Sequence, residues 1–244
     1  MNNTIINGDC LEAMKTIPDK HINLAVVDLP YGQTECAWDI CIDLNLMWIQ
    51  LKRILKDNGQ IVFFCTTKFG VSIINSNPLW FRYDLIWSKA SGQGFLDANK
   101  KPLRKHEMMY IFHNDKKPKG VKWTYNPQKT EGTPYKMGGG GGCEISVYGR
   151  KRTTHSNPTG NRFPTSIQEF GYDKEKIHPT QKPVAICEWL IKTYSNEEDT
   201  VLDFCMGSGS TVIACINTNR NYIGIEKDKE IFDKAQLRLN KRLE

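Results

Sequence analysis

Short apolar runs that close on an acid and alternate with helical patterns leave this chain few ways to fold. Residues 21–28 (His-Ile-Asn-Leu-Ala-Val-Val-Asp) read as a buried strand ending at Asp28, stopped by Pro30. Residues 44–55 repeat apolar side chains at helical spacing and are followed by Asn58-Gly59, and 60–65 is another apolar strand. Strand, helix, strand is the unit of a parallel sheet. The pattern returns late in the chain as helix 183–195, strand 200–205, helix 211–218, strand 221–226 and an amphipathic helix over 228–243. Residues 81–89 and 105–114 are strand-like and joined by a loop containing Gly and Lys, which predicts an antiparallel pair at one end of the sheet. The expected class is α/β, with a mostly parallel sheet and an antiparallel hairpin. A chain of 244 residues has room for one such core with an insertion, not for two independent domains.

The periodicity fails over residues 115–177, which are rich in Gly, Pro, Thr, Asn and Lys and include the five-glycine run at 138–142. The expected organisation is one core half at 1–114, an insertion at 115–177 and the second half at 178–244. Residues 114–177 carry 12 Lys or Arg against 6 acids, whereas 1–113 carry 12 against 11 and 178–244 carry 9 against 10. The whole positive excess therefore lies in the insertion, as expected of a surface that tracks phosphates. Its densest cluster is Arg150, Lys151, Arg152 and Arg162. No apolar run approaches the roughly 20 residues of a membrane span. No secretory signal opens the chain, so a cytoplasmic protein is expected. The eight cysteines form no CxxC pair and no zinc-type cluster with histidine, so free thiols and no metal are expected.

Two acid-ended strands carry the chemistry. Asp203-Phe204-Cys205-Met206-Gly207-Ser208-Gly209-Ser210-Thr211 leaves one strand and opens a helix. Its glycines let the backbone turn sharply beside a ligand, and Asp203 lies at the strand's carboxyl end. Glu226 ends the next strand, where an acid accepts hydrogen bonds from two ribose hydroxyls. Together they describe a nucleoside cofactor site. A dinucleotide dehydrogenase would place a third glycine where Val212 stands, which weakens that alternative. The other strand ends in Asp28-Leu29-Pro30-Tyr31-Gly32. An acid, a rigid turn and an aromatic suit a planar base that bears an amino group.

These segments resemble the β-group of DNA amino-methyltransferases, whose catalytic motif is usually D-P-P-Y and whose cofactor motif is D-x-F-x-G-S-G-T. Asn7-Gly8-Asp9-Cys10-Leu11-Glu12, Trp38-Asp39 and His178-Pro179-Thr180-Gln181-Lys182-Pro183 extend the resemblance over most of the chain outside 115–177. The resemblance implies a doubly wound S-adenosylmethionine-dependent methyltransferase fold with an inserted basic recognition segment. It also implies methyl transfer from S-adenosylmethionine to adenine N6 in DNA, with cytosine N4 as the alternative. Asp28, Pro30 and Tyr31 would be catalytic: the Asp28 carboxylate and the Pro30 carbonyl accept the amine's N–H groups, and Tyr31 stacks on the flipped base. Asp9 and Cys10 would neighbour the cofactor's adenine, and Glu226 its ribose. Asp203, Phe204 and the turn Gly207, Ser208, Gly209, Ser210 and Thr211 would hold the methionine portion, with Thr180 and Lys182 at its carboxylate. Trp38, Arg150, Lys151, Arg152 and Arg162 would meet DNA. The chain departs from the family pattern at Leu29, which stands where the first proline is usual, so an inactive protein that binds cofactor and DNA is the reading from another class. A homodimer and a restriction endonuclease partner fit the resemblance, but no residue specifies either.

Overall fold

The computed structural model describes residues 2–31, 41–114, 118–137, 155–178 and 180–243. Strand β1 (Thr4–Asn7) leads into helix α1 (Cys10–Lys15), capped by the Asp9 carboxylate, which accepts the Leu11 N–H at 3.0 Å. Strand β2 (Ile22–Asp28) follows, then α2 (Leu44–Ile54), capped in the same way by Asp43. Helix α2 passes directly into β3 (Leu55–Cys65), and α3 (Thr67–Ser76) starts on the Thr66 hydroxyl. Strands β4 (Phe81–Gln93) and β5 (Arg104–His113) form the expected antiparallel hairpin. Short strands β6 (Tyr135–Met137), β7 (His155–Asn157) and β8 (Ile167–Glu169) come next. The chain closes with α4 (Val184–Tyr194), β9 (Thr200–Asp203), α5 (Ser210–Asn217), β10 (Asn221–Glu226) and α6 (Lys229–Leu243).

Eight described strands form one sheet in the order β1-β10-β9-β2-β3-β5-β4-β8. From β1 to β3 all neighbours are parallel, and β5 runs antiparallel to both β3 and β4. Strand β2 shows why the central runs read as continuously apolar. Ala25 and Val27 belong to a core with α1, α2 and α3, whereas Leu24 and Val26 belong to a second core with α4 and α5. A strand covered on both faces has no polar side to show. A third cluster, including Val212, Phe232, Ala235 and Leu239, joins α5 to α6.

The structure departs from the sequence pattern where tertiary contacts override local signals. Asn58-Gly59 does not close a helix but lies inside β3, where a Cβ on Gly59 would come within 2.9 Å of the Lys56 carbonyl oxygen. Helix α3 carries Gly70 because a Cβ there would meet the Tyr110 ring at 2.1 Å, and that glycine hides a helix only 10 residues long. Strand β8 is three residues, too short for alternation to register, yet it pairs with β4.

Residues 127–165 form a compact unit of their own, separate from the unit made by 1–126 and 166–244. The aperiodic stretch is therefore longer than the separate unit. Trp123 stacks on His113 with centroids 3.8 Å apart, and Asn126 N–H donates to the Thr193 carbonyl, both within the core unit. In the smaller unit β6 pairs with β7, and Thr130 bridges Arg162. Among the described residues, no helix is long and apolar enough to cross a membrane.

Candidate active site

Strands β2 and β9 are neighbours whose onward connections run in opposite directions, β2 through α2 to β3 and β9 through α5 to β10. Such a switch point leaves a crevice at the carboxyl ends of the strands. A cavity of about 730 Å³ occupies it, lined by Asp28, Asp203 and Glu226 from three strand ends.

Asp203 is buried, and its carboxylate accepts the Cys205 N–H at 3.1 Å. Burial pushes its carboxyl up to about 7, against the pull of the Thr211 hydroxyl and the Cys205 N–H. Glu226 accepts the Gly207 N–H at 2.9 Å on one oxygen and the Asp228 N–H at 2.8 Å on the other, and burial raises its carboxyl. Each of its oxygens keeps a further lone pair. Gly207 has φ +50°, and open space stands where its Cβ would be. Gly209, at φ +76°, does not line the cavity; it faces Ala235 and Leu239 of α6. Ser208 and Ser210 line the cavity but are tied from behind: Arg238 donates to the Ser208 carbonyl at 3.0 Å and to Ser210 Oγ at 3.1 Å. Arg238 also pairs with Asp173 at 3.2 Å, and Asp173 accepts the Val184 N–H at the start of α4.

Asp9, Cys10, Phe204, Thr180 and Thr211 line the same cavity. Asp9 serves as the α1 cap and pairs with Lys227 at 3.2 Å. The Cys10 and Cys205 thiols are hydrogen-bonded, which holds Cys10 below and Cys205 well above the ordinary thiol value. Thr180 Oγ1 lies 3.0 Å from His178 Nδ1.

The turn that follows β2 is built tightly. The Tyr31 hydroxyl donates to Asp28 Oδ1 at 2.5 Å and lies 2.9 Å from the Phe64 carbonyl oxygen, and its ring packs on Phe69 with centroids 5.0 Å apart. Leu29 is 3 % exposed and joins the core. On the other side of Asp28, the Lys182 ammonium donates to Oδ2 at 2.5 Å and lies 2.9 Å from Glu107 Oε1. Glu107 Oε2 in turn pairs with Lys89 at 2.8 Å. Burial pushes the Asp28 carboxyl above its ordinary value; Lys182 opposes the shift and Glu107 adds to it. Burial also pushes Glu107 upward, but Lys182 and Lys89 outweigh it and leave that carboxyl lowered. The sequence expectation set Lys182 at a ligand carboxylate; the structure pairs it with Asp28.

Glu107 and Lys89 were missed from sequence. The available signal was an acid at the edge of the apolar run Met108 to Phe112, and in the fold it stands opposite Trp87 in β4. Trp38, Arg150, Lys151 and Arg152 lie outside the described residues. Arg162 is committed to its own unit, donating to the Gly160 and Thr133 carbonyls and stacking over Tyr135 at 4.7 Å. Among the described residues, no group of His, Cys, Asp and Glu could hold a metal ion.

A doubly wound sheet with acid-ended strands at its switch point, and an Asp-Leu-Pro-Tyr turn in the same cavity, defines an S-adenosylmethionine-dependent methyltransferase fold. The DNA methylase family model of N6 and N4 methyltransferases matches residues 22–237, and the chain belongs to that family. It is 29 % identical to the type II methyltransferase M.HinfI of Haemophilus influenzae, over 97 % of this chain and 68 % of that protein. It is 26 % identical to the type II methyltransferase M1.MboII of Moraxella bovis, over 98 % of this chain and 96 % of that protein. The crystal structure of the M1.HpyAVI–SAM complex superposes with a TM-score of 0.66 at 25 % identity, covering 97 % of this chain and 98 % of that one. The protein is a site-specific DNA methyltransferase of the N6/N4 class.

Proposed function

We propose that this protein transfers the methyl group of S-adenosylmethionine to N6 of adenine in DNA. The observation that carries this reading is the Asp28 carboxylate standing in one cavity with Asp203 and Glu226. The cavity's chemistry fits the cofactor. The buried Asp203 carboxyl, pushed up to about 7, calls for a cationic donor such as the methionine ammonium. Glu226 has lone pairs left for ribose hydroxyls, and the open space at Gly207 leaves room for the chain between them. Asp9 and Cys10 would flank the adenine, Phe204, Ser208, Ser210 and Thr211 would border the methionine portion, and Thr180 would lie toward its carboxylate. When bound, the cofactor supplies an electrophilic methyl on a sulfonium.

An amino nitrogen conjugated with its ring is a poor nucleophile, because its lone pair is delocalised. Asp28 and the Pro30 carbonyl accept its two N–H bonds, which favours a tetrahedral nitrogen with its lone pair free. Positioning and electrostatics then supply most of the acceleration. The base reaches this turn only when flipped from the duplex, and Tyr31 gives it a flat edge to rest on. An acid at Asp28, where cytosine-N4 enzymes more often carry serine, favours adenine. Phosphate contacts fall to the basic insertion, with Arg150, Lys151 and Arg152 as its densest cluster, and Trp38 is the aromatic assigned to DNA from the sequence.

The test is incubation with methyl-labelled S-adenosylmethionine and unmethylated mixed-sequence duplex DNA, followed by digestion to nucleosides. Label in N6-methyldeoxyadenosine is the expected result. Label in N4-methyldeoxycytidine would overturn the base assignment, and no label in any nucleoside would overturn the activity.

A further inference from the structure

Four charged side chains alternate in sign along one line: Asp28, Lys182, Glu107 and Lys89. The successive contacts are 2.5, 2.9 and 2.8 Å. The side chains of Lys182, Glu107 and Lys89 are only 10–12 % exposed. Burying charges costs several kcal/mol per ion, and a buried ion pair is weak evidence of stability, because apolar side chains of similar volume often serve the fold as well. Helix α4 and the β4–β5 hairpin already share one apolar core, which contains none of these residues. The arrangement therefore calls for a functional reason.

We propose that Glu107 and Lys89 are positioning residues that set the charge felt by the catalytic acid: Glu107 divides the Lys182 ammonium between itself and Asp28, and Lys89 limits how much Glu107 takes. The inference rests on Asp28 being the acceptor of the target amine. An acceptor must be ionised but not fully neutralised. Lys182 held by Asp28 alone would neutralise the charge meant to attract the amine, whereas no cation at all would leave a half-buried carboxylate to protonate. Sharing one ammonium between two carboxylates gives the intermediate state. The Lys89 ammonium, 5.0 Å from the centroid of the Trp87 ring, keeps Glu107 from drawing Lys182 away.

Other titratable groups face Asp28 as well: Tyr31 in its own turn, Cys65 at the end of β3, His178 before α4 and Asp203 at the end of β9. All of these stay unchanged in the variants that test the idea. Removing the Glu107 charge takes away a repulsion and should move the acid limb of the pH–rate profile to lower pH. Removing the Lys89 charge takes away an attraction and should move it to higher pH. A merely structural role predicts no such opposition.

The experiment measures single-turnover methyl transfer from saturating S-adenosylmethionine to genome-length unmethylated duplex DNA, between about pH 5 and 9. It compares the parent, Glu107→Gln, Lys89→Met and Asp28→Ala, each checked by circular dichroism. Expected are a plateau rate lowered at least about tenfold in Glu107→Gln and acid limbs displaced in opposite directions in the two hairpin variants. If Glu107→Gln does not fold, an upward displacement in Lys89→Met supports the proposal and an unmoved limb overturns it. Limbs that move together, or not at all, with Asp28→Ala inactive, overturn the role of the hairpin pair alone. Parental activity in Asp28→Ala would instead overturn the reading of Asp28 itself.

Discussion

The Tyr31 hydroxyl donates to Asp28 Oδ1 at 2.5 Å, so the turn after β2 carries both the carboxylate proposed as acceptor and the clamp that aims it. Tyr31→Phe keeps the ring and removes only the clamp. A hydrogen bond to a charged group contributes about 1.5–3 kcal/mol. If most of that is felt in the transition state, methyl transfer should slow roughly ten- to hundredfold. The tyrosine's hydrogen bond also lowers the Asp28 pKa, so its loss should raise that pKa and move the acid limb of activity to higher pH. Parental rates with an unmoved limb would show that the hydroxyl serves only the fold.

Asp203 carries a folded-state pKa of about 7, well above the ordinary 3.8 of an aspartate. The folded protein then binds more protons than the unfolded chain between those values. This group's stabilising contribution is present in full below the unfolded pKa and is lost as pH rises through the folded one. Without cofactor, Asp203→Asn should therefore melt higher than the parent at pH 8, by at least about 2–4 °C for each kcal/mol recovered. It should also flatten the fall in melting temperature between about pH 4 and 7. Binding of S-adenosylmethionine, measured by calorimetry, should weaken in the same variant. Equal melting at pH 8 would mean the carboxylate is not strained in the free protein.

Leu29 stands where the family usually has proline, and its side chain is packed in the core at 3 % exposure. Leu29→Pro removes freedom from the unfolded chain, worth about 0.4–1 kcal/mol where the backbone is compatible. It also gives up a buried methylene or more, at about 0.8 kcal/mol each. The two nearly cancel, so the melting temperature should change by less than about 4 °C and the rate by less than about fivefold. A parent without measurable transfer, made active by this one change, would show that leucine disables the site.

Neutralising Arg150, Lys151 and Arg152 together should flatten the dependence of log DNA affinity on log salt by roughly 0.9 for each phosphate left without its cation. Cofactor binding should not change. Arg162→Ala should act differently, lowering the stability of the 127–165 unit, because its guanidinium holds the Gly160 and Thr133 carbonyls. An unaltered slope in the triple variant would place the DNA footprint elsewhere.

Much of the core was legible because it repeats. Asp28 and Glu226 end their strands at the residues the apolar runs marked, and Asp203 closes β9 two residues earlier than the run suggested. Glu107 was not legible, since an acid within Arg104–His113 reads as one polar position in a hairpin. Only the register of β5 between β3 and β4 brings it to Lys182. Gly209 looked like part of the cofactor turn from its spacing, but its left-handed backbone turns it toward α6. Lys182 and Asp28 were each legible as site residues while their pairing was not, because ion pairing across 154 positions leaves no trace in local pattern.

The alternation of β2 between two cores has a consequence for how activity is lost. A slip of one residue would exchange the contents of the two cores and turn Asp28 to the opposite face of the sheet. No partly correct pairing of β2 leaves the acid in the cavity with its clamp and its ammonium. Each molecule is therefore either competent or silent, and heat or denaturant should reduce the number of working enzymes without dulling those that remain.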